Sequence, residues 1–122
     1  MLTEYEKTEN TFSEDRRKYP RYSPPVGLPV IFETNDCACE GEVRNISQGG
    51  FFLAVKDGGA AESVGRVLIR FPHRFFRAAA TIRFVRPGQG FGIEFTKVDE
   101  ENEEVLAAYC EQLRHLALLR AG

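Results

Sequence analysis

Residues 75–95 read FFRAAATIRFVRPGQGFGIEF, and this stretch decides the class of fold. Apolar and polar residues alternate along its first part, which is typical of a half-buried strand rather than of a helix. The face that we expect to be buried is formed by Phe76, Ala78, Ala80, Ile82 and Phe84. The face that we expect to be exposed is formed by Arg77, Thr81 and Arg83. Residues 87–90 then form a turn before Phe91, Ile93 and Phe95, so the stretch predicts an antiparallel hairpin.

The same alternation runs back to Leu28, in short segments separated by Gly, Asn, Asp and Pro. Six such strands with little helix between them predict a mainly β fold, a small closed or nearly closed barrel, because closure removes unpaired sheet edges. After the last strand the apolar spacing changes to three and four residues. This change predicts an amphipathic helix over residues 99–119, capped by Asp99.

Length and composition limit what this domain can be. With 122 residues, of which 43% are hydrophobic, the chain is expected to form one globular unit. A net charge of -2 argues against a protein that coats nucleic acid or anionic membrane. No apolar run approaches the roughly 20 residues of a membrane span, so we expect no membrane insertion. Three cysteines without a paired framework and no apparent signal peptide favour the cytoplasm.

Charge divides the N-terminal region into two parts. Residues 1–15 are polar and acidic, and we expect a disordered or loosely docked arm there. Residues 16–25 carry Arg16, Arg17 and Arg21 among several prolines, which favour an extended chain. We call residues 16–25 the basic strap. The globular domain is expected to comprise residues 16–122, including the strap and the helix.

A second candidate patch follows the predicted second strand. The apolar residues Val43 and Ile46 are three positions apart, which implies a bulge or strand exit that turns Asn45 and Ser47 toward solvent. Gly49 and Gly50 permit positive φ and a close approach of backbone N–H groups to an anion. Guanidinium groups on the strap can bind phosphate and the edge of guanine in a bidentate manner. The two patches together suit a guanine nucleotide.

Signals for catalysis and for metal or cofactor binding are weak. Cys37 and Cys39 form a C-x-C pair without further ligands at a suitable spacing. Neither histidine is in register with a nucleophile and a carboxylate, so we expect no enzyme activity and no cofactor. The mixture of aromatic and basic residues at 71–77 could bind single-stranded nucleic acid, but core packing of a hairpin explains it better.

The sequence resembles the PilZ domain family in two motifs. Its R-x-x-x-R motif corresponds to Arg17 and Arg21, and its [D/N]-x-S-x-x-G motif corresponds to Asn45, Ser47 and Gly50. Residues 90–95 resemble the last strand of the family. The resemblance extends from Arg16 to about Leu119 and leaves out the acidic arm.

The resemblance implies a six-stranded antiparallel Greek-key β-barrel with a C-terminal α-helix, and a receptor for the bacterial second messenger cyclic di-GMP. The implied ligand-binding residues are Arg16, Arg17, Arg21, Asn45, Ser47, Gly49 and Gly50. In related domains an arginine at the position of Arg16 favours an intercalated pair of ligand molecules at one site. A receptor of this kind acts through a downstream protein partner, which the resemblance does not identify.

Two other functions remain open from the sequence. The first is a scaffold or adaptor that does not bind nucleotides, although such family members tend to lack the arginine pair. The second is an oligonucleotide-binding barrel, and the acidic charge balance counts against it. Neither alternative explains why both motifs are complete.

Overall fold

The computed structural model describes residues 19–55 and 63–121. These residues form six strands and one helix, namely β1 Leu28–Glu33, β2 Ala38–Ile46, β3 Gly50–Ala54, β4 Val64–Arg70, β5 Phe75–Arg86, β6 Gly90–Lys97 and α1 Glu100–Ala121. The acidic arm at residues 1–15 and the first part of the basic strap, with Arg16 and Arg17, lie outside the described residues.

The six strands form a closed antiparallel barrel in the order β1-β2-β3-β6-β5-β4. Pairing of β1 with β4 closes it, from Val30 opposite Ile69 to Glu33 opposite Arg66. Strands β3 and β4 follow each other in the chain but are not neighbours in the sheet. The predicted mainly β fold, a six-stranded antiparallel barrel followed by one helix, is confirmed.

Alternating side chains fill the barrel interior. Strand β1 alternates strictly between buried and exposed positions, with Leu28, Val30 and Phe32 inside. Aromatic rings fill much of the remaining space. The ring centroids of Phe76 and Phe95 lie 5.1 Å apart in an edge-on arrangement, and those of Phe71 and Phe76 lie 5.7 Å apart. Such pairs add to the free energy gained from burial of apolar surface.

Helix α1 packs across the end of the barrel where β6 finishes. The Asp99 carboxylate accepts a hydrogen bond from the Asn102 amide at 2.8 Å and caps the helix as predicted. That hydrogen bond lowers the pKa of Asp99. Tyr109 stacks on Phe71 with centroids 4.4 Å apart, which fixes the helix to the barrel. Cys110 of the helix is 5% exposed and lies in the hydrophobic core, so it is a packing residue, and this burial raises the pKa of its thiol to about 11.

Strand β5 differs from the prediction at two positions. Phe84 was predicted to be buried but is 40% exposed, because the register against β6 shifts between Ile82 and Phe84. The extra residue at this β-bulge is Arg83, and it reverses the facing of the residues that follow. Thr81 was predicted to be exposed but is 7% exposed, since it lies between its paired neighbours on β4 and β6.

Two adjacent phenylalanines on β5 provide a matched test of this core. Phe76 is fully buried, whereas Phe75 is 56% exposed. Replacement of Phe76 by Ala should lower the free energy of unfolding by about 3–5 kcal/mol, because it leaves a cavity inside the barrel. Phe75→Ala should change it by less than about 0.5 kcal/mol. Urea denaturation of both variants measures the difference, and equal losses would contradict the assigned facing of the strand.

Candidate functional site

An irregularity in β2 creates the centre of the site. The register between β2 and β3 shifts between Val43 and Asn45, so Arg44 is the extra, exposed residue of a β-bulge. The bulge expected from the sequence is confirmed. Because it reverses the alternation, Asn45 faces the outer surface of the barrel next to Phe52 of β3, while Ile46 is buried.

The turn between β2 and β3 is held by Ser47. Its amide donates to the Gly50 carbonyl at 2.8 Å, and its hydroxyl accepts a hydrogen bond from the Gly49 amide at 3.1 Å. The hydroxyl also lies 3.4 Å from the Gly50 carbonyl oxygen, to which it donates. Ser47 was predicted to face solvent, which is wrong: it is 4% exposed because its hydroxyl is bonded within the turn. Its contribution to the site is the shape of this turn.

The expected positive φ at Gly49 and Gly50 is wrong, and the close contacts of these glycines are with other parts of the protein. Within the described residues, positive φ at glycine occurs at Gly88 and Gly90. Gly50 instead lies against β6, where an added Cβ would be 2.1 Å from the Ile93 carbonyl oxygen. Gly49 lies under the ring of Tyr19, where an added Cβ would be 3.3 Å from Cδ2. A side chain at Gly50 would therefore force the two strands apart.

The basic strap docks beside this turn. Tyr22 pairs with Ile46 as an isolated antiparallel bridge, with two backbone N–H···O hydrogen bonds of 2.9 Å each. Immediately before it, Nη1 of Arg21 donates to Oδ1 of Asn45 at 2.6 Å, between residues 24 positions apart in the sequence. The second arginine of the R-x-x-x-R motif thus contacts the first residue of the N-x-S-x-x-G motif. The described part of the predicted site is assembled on one surface.

Tyr22 also attaches the strap to the barrel through its side chain. It is half-buried and packs against the hydrophobic core. The hydrogen bond to Glu111 is the main reason that the pKa of Arg114 is raised, and Tyr22 adds a smaller electrostatic effect. The described part of the strap is attached to the barrel at the end of β2. Tyr19 and Tyr22 were not among the predicted site residues, although they flank Arg21 in the sequence.

The chemistry available here is binding through hydrogen bonds and charge. A guanidinium and a side-chain amide lie next to each other on an accessible surface, which suits a ligand with both anionic and hydrogen-bonding groups. Between residues 19 and 55 and between residues 63 and 121, no group of three or more potential metal ligands occurs. The cysteines at 37, 39 and 110 are free thiols. In the same two ranges, no helix has the length and apolar character needed to cross a bilayer.

Comparison with known families gives one match. The family model of the PilZ domain matches residues 15–112, a range that includes both motifs and all six strands. A search of curated proteins found no match.

Solved structures share the fold. The PilZ domain of YcgR from Escherichia coli, solved with c-di-GMP, has a TM-score of 0.72 and 16% identity, covering 87% of this chain and 97% of that one. The inhibitor of motility MotI/DgrA from Bacillus subtilis has a TM-score of 0.67 and 25% identity, covering 84% of this chain. The present chain spans about half of that protein, 52% of its length. The likeness to YcgR is one of fold.

Ser47 offers a test of how the turn is held. Replacement by Ala removes the acceptor of the Gly49 amide in a buried position, which should lower the free energy of unfolding by about 1–3 kcal/mol. Ser63→Ala, at the start of β4, is the control, because Ser63 contacts Ile82 through its backbone carbonyl. Thermal and urea denaturation of both variants measure the effect. Equal stability would mean that the turn does not depend on the hydroxyl.

Proposed function

The chain belongs to the PilZ domain family, and we propose that it functions as a receptor domain for cyclic di-GMP. The contact between Arg21 and Asn45 carries the proposal, because it joins the two motifs across 24 residues of sequence. The YcgR domain of the same fold, solved with c-di-GMP, supports the choice of ligand.

The residues divide into two groups in this proposal. Arg17 and Arg21 bind phosphate and guanine groups of the ligand, since a guanidinium can donate two parallel hydrogen bonds to either. Asn45 and the turn at Ser47, Gly49 and Gly50 form the opposite side. Arg21 already contacts Asn45, so a ligand that inserts between them must offer both an acceptor for the guanidinium and a donor for the amide oxygen. Guanine and phosphate together meet both requirements.

The positive charge that would attract such a ligand is confined to one part of the chain. The chain has a net charge of -2, so attraction of an anionic nucleotide depends on the strap. Asn45 contributes no charge and offers its amide group for hydrogen bonds. A binding site of this kind selects a small anionic nucleotide over a long polyanion, because its positive surface is confined to a few residues.

Signalling is proposed to follow from ordering of the strap over the ligand. Tyr22 holds the strap to the end of β2, so ordering of the strap over a ligand changes the surface around the end of that strand. A downstream protein partner would recognise the altered surface, in the cytoplasm and without catalysis by this domain.

Loss of either motif arginine should weaken binding. Arg17→Ala and Arg21→Ala each remove a bidentate contact, and the dissociation constant for cyclic di-GMP should rise by roughly 5- to 150-fold. Arg70→Ala is the matched control, because Arg70 is exposed on β4, across the barrel from β2 and β3. Isothermal titration calorimetry measures the affinities, and unchanged values for both strap variants would contradict the proposed roles.

Arg16 is proposed to determine stoichiometry. If its guanidinium stacks on a base of a second ligand molecule, the wild-type domain binds two molecules of cyclic di-GMP and the Arg16→Ala variant binds one. The ligand-to-protein ratio at saturation in calorimetry distinguishes these states. A ratio of one in the wild-type protein, or of two in the variant, would be evidence against this role.

A further inference from the structure

A row of residues leads away from the site across the outer surface of the barrel. Asn45 of β2 pairs with Phe52 of β3, Phe52 pairs with Gly92 of β6, and Gly92 pairs with Phe84 of β5. We call these four residues the outer row. Three strand spacings separate its two ends, which is about 14 Å. The row begins at the amide that receives the hydrogen bond from Arg21.

Phe84 lies on the outer row because of the bulge in β5. The extra residue, Arg83, turns the ring of Phe84 out of the core, and Val85 packs inward instead. The ring covers Gly92, where an added Cβ would be 2.1 Å from Cε2 of Phe84. Glycine at this position therefore allows the ring to lie against the strand while 40% of the residue stays exposed.

Two neighbours hold the Phe84 ring. Its centroid lies 6.2 Å from that of Phe52, which is itself largely covered at 7% exposure. The guanidinium carbon of Arg86 lies 5.3 Å from the centroid of Phe84 and 5.4 Å from that of Phe52, within cation–π range of both rings. The result is a partly exposed aromatic ring that packs on a neighbouring ring and has a cation beside it.

Such an arrangement has the properties of a surface that binds nucleobases. An aromatic face stacks on a planar base, and an adjacent guanidinium can bind phosphate or the edge of guanine. Phe75 on the same strand is more exposed, but no aromatic or cation–π pair involving it occurs in the described residues. The difference between these two phenylalanines is the reason to assign a binding role to Phe84.

We propose that Phe84, supported by Phe52 and flanked by Arg86, is a stacking platform for a guanine base of bound cyclic di-GMP. The proposal rests on the proposed function and extends the site from the strap along the outer row. The base belongs either to the ligand molecule bound by Arg21 or to a second molecule. In both cases Arg86 donates hydrogen bonds to the guanine edge or to a phosphate.

Calorimetric titration with cyclic di-GMP tests the platform in Phe84→Ala and Phe84→Leu, with Phe75→Ala as the matched control. Leucine keeps an apolar cover over Gly92 but has no aromatic face, so this variant distinguishes loss of base stacking from loss of folding. Thermal denaturation checks that each variant is folded. Both Phe84 variants should bind roughly 5- to 150-fold more weakly, and Phe75→Ala should match the wild type. In the wild-type complex, NMR should show nuclear Overhauser effects between guanine H8 and the Phe84 ring protons.

Each outcome has a defined meaning. If the Phe84 variants bind more weakly at an unchanged ratio of ligand to protein, the stacked guanine belongs to the molecule bound by Arg21. If the ratio falls from two to one, the stacked guanine belongs to a second molecule. If the wild type binds and Arg21→Ala weakens binding, but both Phe84 variants behave as Phe75→Ala, the platform is refuted and the proposed function stands. If the wild type does not bind cyclic di-GMP at all, the proposed function fails and the platform fails with it.

Discussion

Three strands of this barrel each contain one residue more than a neighbouring strand can pair, and the external surface depends on two of these extra residues. One of the three is Thr96 in β6; the two that shape the surface are Arg44 in β2 and Arg83 in β5. A β-bulge reverses the alternation of the residues that follow it, so each of these two insertions places a side chain on the outside that regular pairing would have placed inside. Asn45 and Phe84 owe their positions to this effect. The interior stays closed and apolar, while the outer surface gains polar and aromatic groups.

The bulge in β2 could be predicted and the bulge at Arg83 in β5 could not, although both have the same sequence signal. In β2, Val43 and Ile46 are three positions apart and polar residues lie between them, so the break in alternation is visible. In β5, Ile82 and Val85 have the same spacing, but Phe84 between them is also apolar and completes a regular pattern of its own. Hydrophobicity alone cannot decide which of two adjacent apolar residues enters the core. The register against β6 decides it, and that is a property of the pairing.

The site shows a similar division between what the sequence determines and what tertiary contacts determine. The prolines and arginines of the strap predicted an extended basic segment, and the spacing in β2 predicted where Asn45 would emerge. Sequence could not reveal that Ser47 would be buried within its own turn, or that the ring of Tyr19 would lie over Gly49. These contacts arise because the strap docks on the turn, which brings together residues distant in the chain. The fold was therefore predicted more completely than the detailed contacts of the site.

The single backbone bridge between Tyr22 and Ile46 has a consequence for how firmly the strap is attached. In an antiparallel pair that exchanges both hydrogen bonds, the next such pairs involve residues two positions away on either side. On the strap these are Pro20 and Pro24, neither of which has an N–H group to donate. The strap therefore cannot continue the hydrogen-bonded pairing with β2 on either side of Tyr22, and it does not form a seventh strand. Among the described residues, the backbone of the strap is joined to β2 by this one pair of hydrogen bonds, to which the Arg21–Asn45 hydrogen bond and the packing of Tyr22 add. Detachment of the strap would leave the pairing of the six strands intact.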